Sequence, residues 1–521
     1  MMNLFKNTSL KINDKENKKE STQCRQDAED TEYQPTKEQL KHTSKDVNSQ
    51  GSHNSSAFSS QENQKLSSTE THDIDHNSSP GLATIKHSKL APYPTKISSL
   101  GLKQHVLLEL LVKHIQFNSV LTLIELAKLL CISPSIVQEL LDLCKRKAWV
   151  ENYNAHTSKK AASEFDKGNE KQNQQMRYVL SHLGRAEAQK AFQRSGYLGP
   201  APVPIGQYND ICKKQSSRQR VVTRDSLQQA FTKQTFSEEL INHIGPSLNS
   251  KKPILIYGHA GTGKSYFCRH LNLVFGDAVL IPYAIEVNND IIQVFDPEIH
   301  QVLPIEQTNT LMLDAHHDPR WLLCKRPLVV TGGELTLDML DVRFDNNSKL
   351  YTAPLQLKAN NGILLLDDLG RQNISPKALF NRWIIPLEES RDFLTLQAGL
   401  HFELPFELIL LFSTNLAPSD LVDEAFLRRI GYKIEFEPLT EKQYRILWFQ
   451  QCQQQRLECS DEIFTYLVTD LHERHQRHFL PCYPRDLQSI ISDQIKFNQI
   501  ELTITKELLN YAWHSYFVSE T

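Results

Sequence analysis

An apolar run, PILIY, hands the chain directly to GHAGTGKS at residues 258–265, and no other stretch limits the possible folds as tightly. The octet fits G-x-x-x-x-G-K-[ST], a pattern that works where a buried strand meets a helix through a glycine-rich turn. Gly258, Gly261 and Gly263 let the backbone adopt conformations closed to other residues. The N–H groups of the turn, including those of His259, Ala260 and Thr262, then point at phosphates from the positive end of a helix beginning near Lys264. In that arrangement Lys264 reaches the outer phosphates and the Ser265 hydroxyl binds Mg2+. The fold class that follows is α/β, with a parallel sheet buried between helices.

Partners for this loop stand further along. NGILLLDDLGRQ is an apolar run ending in Asp367 and Asp368, as expected of a buried parallel strand that delivers carboxylates to its C-terminal edge. Asp367 is read as holding Mg2+ through water, and Asp368 as orienting or deprotonating the attacking water. FELILLFSTN is another buried strand, and Asn415 at its end is placed to set an amide between the terminal phosphate and that water. DEAFLRRIGYKIEF puts Arg428 and Arg429 just before a further strand. Such a pair is either solvated or presents a planar donor fork to a phosphate on a neighbouring molecule.

With these motifs in this order, the chain from about residue 236 to 517 resembles the AAA+ ATPases. GHAGTGKS resembles their Walker A motif, ILLLDD Walker B, FSTN sensor 1, DEAFLRRI the arginine-finger box and YPRDL sensor 2. The resemblance implies ATP and Mg2+ as ligands and a catalytic set of Asp368, Asn415, Arg428, Arg429 and Arg485, the last on a C-terminal helical lid. It also implies a ring of identical subunits, hexameric in the family, that remodels a protein client. Alternating FLTLQ and LHFEL around AG suggest a β-hairpin ahead of the sensor strand, as in MoxR-like bacterial members. The family's second Walker B acid is Glu, whereas this chain has Asp368. A side chain one methylene shorter shifts the carboxylate by about an ångström, enough to alter the rate.

The remainder bounds the organisation. Of 521 residues, 40% are hydrophobic and 23% charged, enough for more than one core. A net charge of -3 gives no global pull toward nucleic acid or membrane, so such contacts need a local basic patch. Nine cysteines without a C-x-x-C pair fit a reducing compartment. The opening MMNLFKNTSLKIND lacks a signal core, and no run approaches the ~20 apolar residues of a membrane helix. A cytoplasmic protein without membrane contact is expected.

Residues 1–97 are rich in Ser, Asn, Gln and charge, and read as a disordered tail. Residues 98–197 carry three helix signals and two strand-like pieces, WVENY and RYVLS, separated by a polar insertion; they resemble a winged helix-turn-helix. Thr122 and Glu125 form a capping-box pattern, and Ser133–Pro134 opens the third helix. That helix presents Glu139 and Asp142 outward, which disfavours DNA reading by it. Residues 198–235, with three prolines near their start, read as a linker; 236–438 as the ATPase core, including strand-like additions between the two Walker motifs; and 439–521 as the lid. The basic CKKQSSRQRVVTR and the histidines of LHERHQRHF read as solvated or structural. The competing expectation is a nucleotide-gated DNA-binding regulator, or an ATP-binding scaffold with little turnover.

Overall fold

Residues 91–153, 176–231, 237–304, 317–421 and 423–517 are described by a computed structural model. The tail up to residue 90 and the polar insertion at 154–175 lie outside the described residues. All described residues belong to one unit, 79–521. The architecture is α/β, and no described helix is long and apolar enough to cross a membrane.

A five-stranded, wholly parallel sheet forms the centre. Its strands are β1 (Ile254–Tyr257), β2 (Leu328–Thr331), β3 (Ile363–Leu366), β4 (Ile409–Thr414) and β5 (Tyr432–Glu435), in the order β2-β3-β4-β1-β5. At the C-terminal edge Thr414 lies opposite Tyr257, while β3 ends two residues earlier, with Leu366 opposite Phe412. β4 therefore lies between β1 and β3, and the residues that leave these three strands emerge side by side. The near-continuous apolar runs are explained by burial on both faces. One face packs on Phe380 and Trp383 of helix Pro376–Glu389, the other on Phe267 and Cys268 and on Ile244 and Leu248 of helix Glu238–Asn249. Trp383 is fully buried, and truncating such a side chain costs about 3–5 kcal/mol. RPLVV, read as an addition to the fold, supplies β2, the edge strand of this sheet.

A second sheet runs Arg343–Asp345, Leu350–Thr352, Asp290–Gln293, Ala284–Val287, Val203–Pro204. Its hairpin turns at Asn288 and Asn289, both at positive φ (53° and 78°), as a two-residue primed turn requires. The segment read as a linker is therefore not extended. Val203 pairs with Ile285, and helix Ile205–Lys214 buries Tyr208, Ile211 and Cys212 against this sheet. The tail also ends earlier than residue 97: Ala91 is fully buried and its carbonyl accepts from the Asp318 N–H. Prolines and small residues gave both stretches a loop-like composition, and their few apolar side chains find partners only through distant strands.

The N-terminal helices Gln104–Asn118, Leu123–Leu130, Pro134–Arg146 and His182–Arg194 pack with a three-stranded antiparallel sheet of Leu121–Thr122, Arg177–Leu180 and Val150–Asn152. Thr122 and Glu125 make the reciprocal capping box, and the Ser133 hydroxyl accepts from the Ile136 N–H. The antiparallel hairpin Arg391–Thr395/His401–Pro405 precedes β4. Helices Glu441–Gln455, Asp461–Tyr466, Cys482–Asn498 and Lys506–Tyr516 close around Tyr444, Trp448, Leu487 and Leu509.

Candidate functional site

The loop leaving β1 turns at Gly258, where a Cβ would lie 2.4 Å from the Phe436 carbonyl oxygen, and enters helix Lys264–His270. Lys264 is buried, and its Nζ donates to the carbonyls of Gly258 (2.9 Å) and His259 (2.7 Å) and to Oδ1 of Asn415 (2.7 Å). The Asn415 amide in turn donates to Oδ1 of Asp368 at 3.2 Å. One asparagine at the end of β4 thus bridges the lysine beside β1 and the carboxylate beyond β3, as the strand order dictates. Burial pulls the Lys264 pKa below its ordinary value, and the charges of Asp368 and Asp367 oppose that shift.

The Ser265 hydroxyl donates to Oδ1 of Asp367 at 2.8 Å. A hydroxyl and a carboxylate side by side are oxygen donors suited to a hard cation, so this pair fits Mg2+. Asp368 sits at φ 52°, a left-handed conformation that Asp tolerates better than most residues. The Gln372 side chain holds that turn by donating to the carbonyls of Asp367 (3.0 Å) and Asp368 (3.1 Å).

Five of the residues singled out in the sequence therefore come together: Lys264, Ser265, Asp367, Asp368 and Asn415. Arg428 and Arg429 do not join them. They precede β5, where the Gly431 N–H donates to the Pro253 carbonyl at the start of β1, the sheet edge opposite the loop. Arg428 pairs with Glu424 (3.1 Å), and Arg429 with Glu388 (2.7 Å). Arg485 is exposed on helix Cys482–Asn498 and pairs with Asp486 at 2.9 Å.

Sequence reasoning missed two features. Arg269, one turn after Ser265, places Nη2 3.8 Å from Oδ2 of Asp367; the i,i+4 spacing on the loop's own helix was the available signal. The other is a cover over the loop: a Cβ on Gly261 would lie 2.7 Å from Cys482 Sγ, Pro481 approaches Gly263, and the His259 and His478 rings stack at 6.1 Å. No local pattern announces a contact spanning more than 200 residues. Of the three clustered histidines, His472 is buried, its ring nitrogens bonded to the Arg477 carbonyl (3.2 Å) and the Tyr444 hydroxyl (3.1 Å).

Residues 440–515 match the model of a domain of unknown function, DUF8689. No curated protein matches the chain. Among solved structures it is similar to NtrX from Brucella abortus, with 12% identity and a TM-score of 0.35 over 55% of this chain and 56% of that one. It is also similar to the Thermotoga maritima RuvB Holliday junction branch migration motor, with 12% identity and a TM-score of 0.30 over 63% of this chain and 74% of that one. The chain spans little more than half the length of NtrX.

Proposed function

We propose that this protein is a AAA+ ATPase that binds ATP with Mg2+ and hydrolyses its terminal phosphoanhydride at an interface between identical subunits. The observation that carries the reading is the bonded set Lys264–Asn415–Asp368 beside Ser265–Asp367, at the C-terminal ends of three adjacent parallel strands. An incoming terminal phosphate competes with the Gly258 and His259 carbonyls for the Lys264 ammonium, and loop N–H groups take the phosphate oxygens. Ser265 and Asp367 would hold Mg2+, which when bound would supply neutralising charge to the transferring group. Asn415 and Asp368 then orient the attacking water, and Asp368 accepts its proton.

Arg428 and Arg429 bear on assembly. A four-residue strand advances ~13 Å, so these arginines cannot reach the loop of their own subunit. If they serve a terminal phosphate, it is a neighbour's, which makes a ring, hexameric by family resemblance, the working form. Within this reading residues 98–197 are a winged-helix-like module, 236–438 the core and 439–521 the lid whose Arg485 senses nucleotide. Closing and reopening that lid during turnover is the movement that would act on a protein client. The test is fluorescent-ATP binding and phosphate release by the wild type, Lys264→Ala and Asp368→Asn. Binding lost in the first variant, and kept without turnover in the second, supports the proposal. Turnover surviving in both sinks it.

A further inference from the structure

The basic segment CKKQSSRQRVVTR, residues 212–224, folds at the sheet edge opposite the phosphate loop. Lys213 and Lys214 end helix Ile205–Lys214, after which the chain turns tightly: the Ser216 N–H and the Gln219 side chain both donate to the Lys213 carbonyl, at 3.4 and 2.9 Å. Ser217 then lines a small cleft of about 20 Å³, room for about one water, together with Lys251, Lys252 and Pro253, the residue before β1. All four lysines are exposed, and none has an ion-pair partner among the described residues. Arg220, by contrast, is neutralised by Asp277 at 3.3 Å. The nearby carboxylates are Asp210, one turn earlier on the same helix, and Glu407, which accepts from the Ser216 hydroxyl.

Lysines after a helix C-terminus complement its dipole, which accounts for each pair separately. It does not account for Ser217. That residue is 5% exposed, its hydroxyl has no partner among the described residues, and it lines the same cleft as Lys251 and Lys252. An unsatisfied buried hydroxyl is destabilising, a cost removed when an anion's oxygen accepts from it. Lys252 is further held in place, because its side chain lies across Gly431, where a Cβ would come within 2.5 Å of it.

We propose that this face, Lys213, Lys214, Lys251 and Lys252 around the Ser217 hydroxyl, binds the phosphodiester backbone of duplex DNA. Lysines act as point charges that read phosphates rather than base edges. Phe406, the aromatic residue in the cleft wall, is 2% exposed and offers no stacking platform, which argues against a single strand. The site is separate from the proposed nucleotide site and does not depend on it.

The experiment is fluorescence anisotropy of a labelled 30-base-pair DNA duplex with the full chain, from 50 to 200 mM KCl. Four lysines on four phosphates give a log-log salt slope of about -3.6, or about 150-fold weaker binding across that range. Lys251→Gln with Lys252→Gln, and separately Lys213→Gln with Lys214→Gln, each reduce the slope to about -1.8, or about 12-fold. Ser217→Ala weakens binding at every salt concentration without changing the slope, and Lys264→Ala binds as wild type. Thermal melting confirms that the variants fold, and either lysine pair decides if the other fails. Absence of binding at 50 mM KCl overturns the proposal, as does a wild-type slope in a folded double variant. Equal affinity for polyglutamate of matched charge also overturns it, assigning the face to an acidic protein.

Discussion

His472 makes the C-terminal helices acid-sensitive, and the size of the effect follows from its surroundings. The ring is 1% exposed and packs against Tyr444, Phe479, Tyr483 and Trp513. Burial lowers its pKa to about 4, with only the Arg477 carbonyl opposing. An unfolded histidine titrates near 6.5, so between these values the unfolded chain binds the extra proton. A base whose folded pKa is depressed contributes stability that is fully present above the unfolded value and lost as pH falls toward the folded one. The gap corresponds to roughly 3 kcal/mol in total, of which about 2 kcal/mol is lost between pH 7 and pH 5. Urea unfolding of wild type and His472→Gln, followed by tryptophan fluorescence at both pH values, isolates the term. The wild type should lose about 2 kcal/mol more than the variant over that interval. Equal losses in the two proteins would refute the assignment of His472 as a neutral core residue.

Two further outcomes follow from the candidate site. Asn415→Ala removes the bridge between Lys264 and Asp368 and should cut turnover by ~10²-fold while ATP affinity stays within about threefold; calorimetry with steady-state phosphate release checks both, and a loss confined to affinity would contradict the water-orienting role. Gly261→Ala forces a side chain into a loop at φ 83° and against Cys482 Sγ. A strain of about 1–2 kcal/mol should weaken ATP binding about tenfold, and an unchanged dissociation constant by calorimetry would show that the loop relaxes freely.

The central strands were legible because residues buried on both faces are written as unbroken apolar runs, and the polar residues that end those runs must emerge at the sheet edge. ILLL before Asp367 and ILLFST before Asn415 are of this kind. The placement of Lys264 follows from the glycine pattern of its loop. Other parts were illegible for an equally physical reason. Val203–Pro204 is two residues long and owes its existence to Ile285, so it carries no periodicity of its own. Leu328–Thr331 alternates exposed and buried as an edge strand does, and reads like an excursion from the core. The contact of Cys482 with Gly261 depends on how two separately packed bodies meet. Arg320, buried with Asp318 and donating to the carbonyls of Leu100 and Pro202, ties three distant segments and looks in sequence like any surface arginine.

The central claim is an ATP site completed by a neighbouring subunit, and mixing two inactive variants tests it most directly. Asp368→Asn keeps its arginines but lacks the carboxylate; Arg428→Ala with Arg429→Ala keeps the carboxylate but lacks the arginines. Each alone should bind ATP without turning it over. In an equimolar mixture, random assembly joins an intact site to an intact arginine pair at about one interface in four, so turnover should recover to about a quarter of wild type. A mixture as inactive as its components, although both variants bind ATP and co-assemble, would contradict the account.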